Sequence, residues 1–140
     1  MANRSKTRTE ARSFALQVLY SIEITKAEPS SILNSKSVPA EAGLITTYGK
    51  KLVNGVCENK KLIDKKLTDT AENWSLLRMP VVDLCLLRLA VYEMLFESKI
   101  PIGVSIDEAV NLAKSFGAED DSSRFINGVL GQIAKSIEAE

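Results

Sequence analysis

One stretch, residues 79–96 with the sequence MPVVDLCLLRLAVYEMLF, constrains the fold of this chain more than any other. Four ionisable side chains interrupt its apolar run: Asp83, Arg88, Tyr92 and Glu93. Pro80 suits the first turn of a helix, where a missing N–H costs nothing. A helix that is apolar on every side is buried in a protein core or in a membrane. A membrane span needs about 20 apolar residues with few charges. Because Arg88 lies mid-stretch, we predict a central core helix instead.

The composition is that of one globular domain that lacks the commonest catalytic and metal-binding side chain. The chain has 140 residues, of which 45% are hydrophobic and 26% charged, and its formal net charge is zero. It contains no histidine, the usual general base and metal ligand. Cys57 and Cys85 lie in apolar helical patterns, which is typical of core thiols in a reducing cytoplasm. The polar N-terminus does not resemble a signal peptide. We expect a cytoplasmic protein without a metal or cofactor.

Positive charge is concentrated at the N-terminus, where four basic residues accompany a single acid. They are Arg4, Lys6, Arg8 and Arg12. The three arginines are spaced by four residues, so a helix would place them on one stripe that continues to Tyr20. Two interpretations are open: a solvated charge cluster, or a phosphate-binding edge with Tyr20 as a ring for base stacking. We predict a helix over residues 9–25, preceded by a flexible arm or a fraying turn.

Residues 26–74 are predicted to form one loop and two helices. Residues 26–39 contain two prolines and four serines, which favours a loop. A helix is expected from about Ala40, with Gly49 allowing a neighbouring helix to pack closely. Its apolar stripe consists of Ile45, Tyr48, Leu52 and Val56. A lysine-rich third helix, mostly facing solvent, is expected over residues 59–73, with Trp74 behind it as a packing anchor.

Two further helices are predicted after the central one. Residues 105–108, Ser-Ile-Asp-Glu, form a capping-box pattern at the start of a helix, and Gly117 offers a left-handed stop at its end. In the last segment Asn127-Gly128 stands between apolar pairs, which is a hairpin signal. The apolar residues around it nevertheless keep helical spacing, and no second strand is predicted. The expected fold class is therefore all-α.

Several segments resemble the NusB family of bacterial transcription antitermination factors. They are RSFALQVLY in the first helix, LRLAVYEM in the central helix, and SIDEAVNLAKSFGAED followed by RFINGVLGQIAK. The resemblance extends over the whole chain except residues 26–39. It implies one domain, residues 1–140, of about seven helices in two packed three-helix sub-bundles, residues 1–74 and 75–140. It also implies a protein without enzymatic activity.

The resemblance implies a role as an RNA-binding adaptor. Members of the family bind the boxA element of ribosomal RNA transcripts together with NusE, a protein of the small ribosomal subunit. The pair joins NusA and NusG on RNA polymerase and prevents premature, Rho-dependent termination. Some members form homodimers that cover the RNA surface, so a homodimer is a further candidate state. No membrane is expected among the partners.

Site residues follow from the resemblance by position. The candidate RNA-binding residues are Arg4, Lys6, Arg8, Arg12, Tyr20, Arg124, Phe125 and Asn127. Arginines would contact phosphates, and the rings would lie beside unstacked bases. The candidate NusE contacts on the central helix are Asp83, Arg88 and Tyr92. Alternatively, Arg88 and Tyr92, one turn apart, brace one another inside the core.

The loop before the last helix departs from the family pattern. Many members have Glu-Asp-Ser-His-Lys-Phe there, whereas residues 119–125 of this chain read Glu-Asp-Asp-Ser-Ser-Arg-Phe. The segment is one residue longer and lacks the histidine. We expect Arg124 to replace the lysine as a phosphate contact, while Asp121 adds opposing charge.

Two other function classes remain as alternatives. A NusB-like domain also occurs at the N-terminus of some ribosomal-RNA cytosine methyltransferases, which need a second domain with a glycine-rich cofactor site and a catalytic cysteine. Residues 1–140 contain neither, so we do not expect that activity. The other alternative is a helical bundle that binds only proteins. It predicts that neutralising Arg4, Arg8 and Arg12 leaves RNA binding unchanged.

Overall fold

The computed structural model describes residues 4–34, 44–70 and 75–139, and all regular secondary structure in these ranges is helical. The α-helices in order are α1 Arg4–Thr25, α2 Pro29–Leu33, α3 Leu44–Glu58, α4 Lys60–Thr70, α5 Val81–Phe96, α6 Ile102–Phe116 and α7 Ser122–Glu138. A 3-10 helix, Leu76–Arg78, precedes α5. The predicted all-α class with about seven helices is confirmed. Among the described helices, none is long and apolar enough to cross a membrane.

The contacts between Cα atoms divide the chain into two compact units, residues 1–58 and 59–140. In the first unit α1 packs against α3, and α2 contacts both. In the second unit α5, α6 and α7 pack against one another, and α4 contacts α5 and α7. The predicted sub-bundle boundary near residue 74 would instead group α4 with the N-terminal helices. Residues 71–74, including the predicted anchor Trp74, lie outside the described ranges, and that boundary stays a prediction.

The first unit is organised by apolar faces of α1 and α3. The buried apolar side chains of the two helices are Ala11, Ala15, Leu16, Val18, Leu19, Tyr48, Leu52, Val53 and Val56. This confirms the predicted apolar stripe of α3, except for Ile45, whose side chain is not among those that the structure describes. The helix α1 begins at Arg4, so the predicted start near Thr9 is wrong; of the two alternatives for residues 4–8, a helical turn is observed and not a flexible arm. Residues 4–8 contain no glycine or proline, and arginine and lysine are good helix formers, so nothing interrupts the helix.

Gly49 brings α3 close to α1, as predicted. A Cβ atom at this position would overlap Cδ1 of Phe14 and lie 3.3 Å from the carbonyl oxygen of Ala11. The predicted loop over residues 26–39 is wrong in one part, because α2 forms there. Pro29 occupies the first turn of α2, where its fixed φ is already helical, and Leu33 is buried.

The second unit is built around α5, which confirms the predicted central core helix. Every side chain from Asp83 to Met94 is buried. Pro80 directly precedes the first helical residue, in an extended conformation with φ −54° and ψ 140°. Cys85 is buried and Cys57 half-buried, and neither cysteine forms a disulfide.

An ion pair fastens α4 to α5. The Nε and Nη2 atoms of Arg88 donate hydrogen bonds to the two carboxylate oxygens of Asp64, at 2.8 and 2.9 Å. Arg88 is buried and Asp64 half-buried. The geometry is bidentate, which is the strong form of an arginine–carboxylate pair. Arg88 therefore holds α4, whereas the hydroxyl of Tyr92 donates to Oε2 of Glu97 at 3.2 Å.

The predicted start of α6 is wrong, whereas the helix does stop before Gly117 as predicted. The helix begins at Ile102 behind Pro101, whose φ of −59° and ψ of 141° already give the extended backbone of a residue preceding a helix. Ser105 therefore lies inside the helix and forms no capping box; its hydroxyl donates to Oε1 of buried Glu93 at 2.7 Å. Gly117 has φ −57° and ψ 144°, which is not left-handed. Glycine is needed there for space, because a Cβ would overlap the carbonyl oxygen of Ala113 and lie 2.6 Å from Cβ of Ser122.

The last segment is the predicted helix and not a hairpin. The helix α7 runs through Asn127 and Gly128 without interruption, and its buried face is apolar. The buried apolar residues are Ile126, Val129, Leu130 and Ile133. Burial of this face against α5 and α6 outweighs the local turn preference of the Asn-Gly pair.

Glycine-to-alanine substitutions should distinguish a glycine with open space around it from one in a crowded turn. A Cβ at Gly131 would meet nothing within 4 Å. Gly131→Ala should therefore raise the free energy of unfolding by about 0.5–1 kcal/mol, the usual gain for alanine in a helix interior. Gly117→Ala should lower it by about 1–3 kcal/mol through overpacking. Urea denaturation followed by circular dichroism measures both, and equal effects of the two substitutions would contradict the packing described.

Breaking the ion pair between α4 and α5 should cost more than breaking an exposed one. Asp64→Ala leaves the buried guanidinium of Arg88 without its bidentate partner and should lower the free energy of unfolding by about 2 kcal/mol. Asp69→Ala is the matched control, because Asp69 pairs with Lys65 at 2.8 Å and both side chains are largely exposed. Its effect should not exceed about 0.5 kcal/mol. Comparable losses in urea denaturation would show that the Arg88 pair does not hold α4.

Candidate nucleic-acid interface

The basic N-terminal residues belong to a regular helix. Arg4 and Lys6 lie in the first turn of α1. The structure describes the side chains of this helix from Thr7 onward. Arg8 is half-buried, and its Cζ lies 5.9 Å from the ring centroid of Tyr48 on α3, within the range of a cation–π contact. The positive charge of Arg8 is thus held in place by an aromatic ring of the neighbouring helix.

The predicted stripe along α1 does not stay on one face. Arg12 is only 4% exposed and Leu16 is fully buried, whereas Tyr20 is 43% exposed. An α-helix turns by about 100° per residue, so a spacing of four residues drifts by about 40° at each step. Between Arg8 and Tyr20 the drift reaches about 120°, which carries the stripe across the core face and out again. Arg12 therefore belongs to the packed part of α1, and Tyr20 to its surface.

Three of the predicted RNA-binding residues lie in the first two turns of α7. Arg124 and Asn127 are exposed, Phe125 is half-buried, and Ile126 between them faces the core. The exposed side of α7 continues at helical spacing through two residues that the sequence analysis did not single out, Gly128 and Gly131. Neither glycine would meet an atom within 4 Å if it carried a Cβ. Two polar side chains are thus followed by bare backbone at exposed Gly128 and half-buried Gly131, and the spacing of 124, 127, 128 and 131 indicates that the four positions are neighbours on the helix.

The turn that leads into α7 is acidic on its outside and hydrogen-bonded on its inside. Three exposed acids precede the helix: Glu119, Asp120 and Asp121. On the inner side, Oδ2 of Asp83 accepts a hydrogen bond from the Ser122 hydroxyl at 2.9 Å, and Oδ1 accepts one from the Ala118 N–H at 3.3 Å. The Glu119 N–H in turn donates to the Ser122 hydroxyl oxygen at 3.0 Å. The local charge at the start of α7 is therefore negative apart from Arg124.

The candidate NusE contacts on α5 all lie in the interior. Asp83 is 3% exposed, and Arg88 and Tyr92 are also buried. Each has a partner within the second unit: Asp83 bonds the turn before α7, Arg88 bonds α4, and the Tyr92 ring stacks on Phe96 with centroids 5.3 Å apart. These residues can influence a partner surface through the elements that they hold.

The described residues contain no group of three or more histidine, cysteine or acidic side chains that could hold a metal ion. A shallow cavity of about 460 Å³ opens beside α1 and α2. Its lining consists of Glu10, Ser13, Phe14, Gln17, Val18, Ser21 and Ile32. Among the described residues of that lining Glu10 is the one ionisable group, so they provide no second acid or base to assist it in acid–base chemistry.

Sequence comparison relates the chain to antitermination proteins over nearly its whole length. A profile described as the NusB family matches residues 9–135. The transcription antitermination protein NusB of Pseudothermotoga lettingae is 40% identical over 133 residues, which cover 95% of this chain and 94% of that protein. The NusB protein of Geobacter sulfurreducens is 43% identical over 128 residues, which cover 90% of this chain and 92% of that protein.

Solved structures agree with the sequence comparison. NusB of T. maritima superposes with a TM-score of 0.80 at 36% identity, covering 91% of this chain and 90% of that one. A NusB chain from a crystal structure of the antitermination factors NusB and NusE in complex with dsRNA superposes with a TM-score of 0.79 at 27% identity, covering 94% of this chain and 98% of that one. The all-helical fold, the match over residues 9–135 and the identity of about 40% lead to one conclusion: this chain belongs to the NusB family of non-catalytic transcription antitermination proteins.

Proposed function

We propose that this protein is a cytoplasmic RNA-binding adaptor that, together with NusE, binds the boxA element of ribosomal RNA transcripts. In this role it joins NusA, NusG and RNA polymerase and prevents premature, Rho-dependent termination. The observation that carries the proposal is the similarity over 94% of the chain to a NusB that was crystallised with NusE and dsRNA.

The first part of the proposed RNA surface is the start of α1. Arg4 and Lys6 lie in the first turn of a formed helix and Arg8 in the second, so the chain needs to order little backbone when phosphates bind. Tyr20, with 43% of its surface exposed, is available for base stacking further along the same helix. Arg12 is buried, and we propose that it supports the packing of α1 and makes no direct phosphate contact.

The second part is the exposed face at the start of α7. Arg124 supplies a phosphate contact, Asn127 an amide that can both donate and accept hydrogen bonds, and Phe125 a half-buried ring. The bare backbone at Gly128 and Gly131 leaves room for a ribose or phosphate to approach this face closely. The asparagine and the glycines carry no charge, so we expect them to contribute shape and hydrogen bonds.

Charge argues for weak RNA binding by the protein alone. The net charge is zero, and the three exposed acids at residues 119–121 repel phosphates near Arg124. A partner that adds its own contacts raises the affinity through effective concentration, without any new contact from this chain. We therefore assign the tight complex to the pair with NusE. The buried Arg88 and Tyr92 would support the NusE surface only indirectly, by holding α4 and α5 in position, whereas Asp83 holds the turn before α7.

A titration with and without NusE tests the proposal. Binding of a labelled boxA RNA, followed by fluorescence anisotropy, should become tighter when the matching NusE is present, and a scrambled RNA of equal length should bind less tightly. If neither RNA binds in the presence of NusE, the adaptor role is wrong, and a bundle that binds only proteins takes its place. Equal affinities for the two RNAs would contradict recognition of boxA.

The salt dependence of binding tests Arg124 against a matched control on the same helix. Each phosphate contact to a single strand contributes about 0.7 to the slope of log K against log salt. Arg124→Ala should lower the slope by about that amount, whereas Lys135→Ala removes an exposed charge from the last turn of α7 and should leave it unchanged. Equal changes in the two variants would show that only net charge matters.

A further inference from the structure

We propose that Asp83 is a positioning residue for RNA binding, which acts by fastening the turn at residues 117–121 and the first turn of α7 to α5. The inference rests on the proposed function, because it concerns the surface formed by Arg124, Phe125 and Asn127. It replaces a direct contact between Asp83 and NusE with an indirect role on the RNA side.

Asp83 accepts the hydrogen bonds that attach the inner side of this turn to α5. Its two carboxylate oxygens accept from two different places, the Ala118 N–H and the Ser122 hydroxyl. The Ser122 hydroxyl oxygen in turn accepts a hydrogen bond from the Glu119 N–H at 3.0 Å. Two consecutive backbone donors of the turn and the first residue of α7 are thus fixed by one carboxylate of α5. Hydrogen bonds to a charged acceptor are stronger than those between neutral groups.

The turn is tightly packed as well as hydrogen-bonded. A Cβ at Gly117 would lie 2.6 Å from Cβ of Ser122, so the two ends of the turn are in direct contact. The Ser122 N–H also donates to the Glu119 carbonyl oxygen at 3.1 Å, and the Phe125 N–H to the Asp121 carbonyl oxygen at 3.1 Å. The backbone of the turn therefore leads directly into the helical turn that carries Arg124 and Phe125.

The position of this turn matters because of its charge. Glu119, Asp120 and Asp121 are all exposed and stand immediately before Arg124. Coulomb interactions fall with distance, so a shift of a few ångströms in the three carboxylates changes the repulsion that an approaching phosphate meets. With Asp83 in place, the acids are held in one arrangement. Without it, they can move towards Arg124 and compete with RNA for its guanidinium.

A second pair in the same unit provides a control with the same chemistry. Glu93, also on α5 and buried, accepts a hydrogen bond from the Ser105 hydroxyl of α6 at 2.7 Å. Like Asp83 and Ser122, the two residues join a carboxylate of α5 to a serine of a neighbouring helix. The serine of this contact lies inside α6, and the contact does not include the turn at residues 117–121. Ser105→Ala therefore removes a comparable buried hydrogen bond without releasing that turn.

The experiment compares Asp83→Asn, Ser122→Ala and Ser105→Ala in the full-length protein. Asparagine keeps the size of Asp83 and one acceptor oxygen, so this variant should fold even if Ser122→Ala is less stable. Three quantities are measured for each: the affinity for boxA RNA at saturating NusE, the affinity for NusE alone by calorimetry, and the amide hydrogen exchange of Ala118 and Glu119 by NMR.

Asp83→Asn and Ser122→Ala should each weaken RNA binding by about fivefold, corresponding to the loss of about one hydrogen bond. They should speed exchange at Ala118 and Glu119 and leave the affinity for NusE within twofold of the wild type. Ser105→Ala should change none of the three.

Three results would overturn the inference. Faster exchange with unchanged RNA affinity would show that the order of the turn does not matter for RNA. A loss of NusE affinity in Asp83→Asn that Ser105→Ala does not share would place Asp83 with the partner surface. Absence of RNA binding by the wild type with NusE would refute the proposed function itself, and the inference with it.

Discussion

The packing of the second unit depends on the partners of the ionisable side chains of α5, a helix that is buried on every side. An amphipathic helix is oriented by its apolar face, but α5 has no polar face to turn towards solvent. Its three buried charged side chains each bond a different element: Asp83 the turn before α7, Arg88 the helix α4, and Glu93 the helix α6. A buried charge without a partner is costly, so rotating or sliding α5 would break several of these pairs at once. The polar residues of the core helix thus select one arrangement of its neighbours.

Much of the fold could be predicted because it follows from burial alone. The apolar run of residues 79–96 required a buried helix, and helical spacing around Asn127 and Gly128 outweighed a strong local turn signal. Two of the wrong predictions concern residues whose roles are set by contacts that the local motif does not include. Ser105 matches a capping box, but its hydroxyl is used by Glu93, which sequence spacing does not place beside it. Gly117 matches a left-handed stop, yet it is needed because Ser122 lies against it.

The candidate site could be predicted by position more readily than by geometry. The resemblance named Arg124, Phe125 and Asn127, and the structure places them in the first two turns of one helix. It also named Arg12, which is buried because a four-residue spacing does not follow one face of a helix. Residues spaced by four are neighbours on a helix, but over three turns such a row does not stay on the solvent-exposed side. Asp83, Arg88 and Tyr92 were named as candidate NusE contacts, with mutual bracing of Arg88 and Tyr92 inside the core as the alternative, because a sequence does not reveal which polar groups of a core helix find internal partners.

The hydrogen-bonded pairs of α5 also differ in the sequence separation of their two residues. This separation affects the order in which the contacts of the unit form during folding. Glu93 and Ser105 are 12 residues apart, Asp64 and Arg88 are 24 apart, and Asp83 and Ser122 are 39 apart. Closing a loop of 39 residues costs about 1 kcal/mol more entropy than closing one of 12. The α5–α6 pair is therefore the contact best suited to an early folding nucleus, and the attachment of the turn before α7 comes late. A contact made late in folding affects mainly the unfolding rate, so the part of the unit that carries Arg124 is also the part expected to open first.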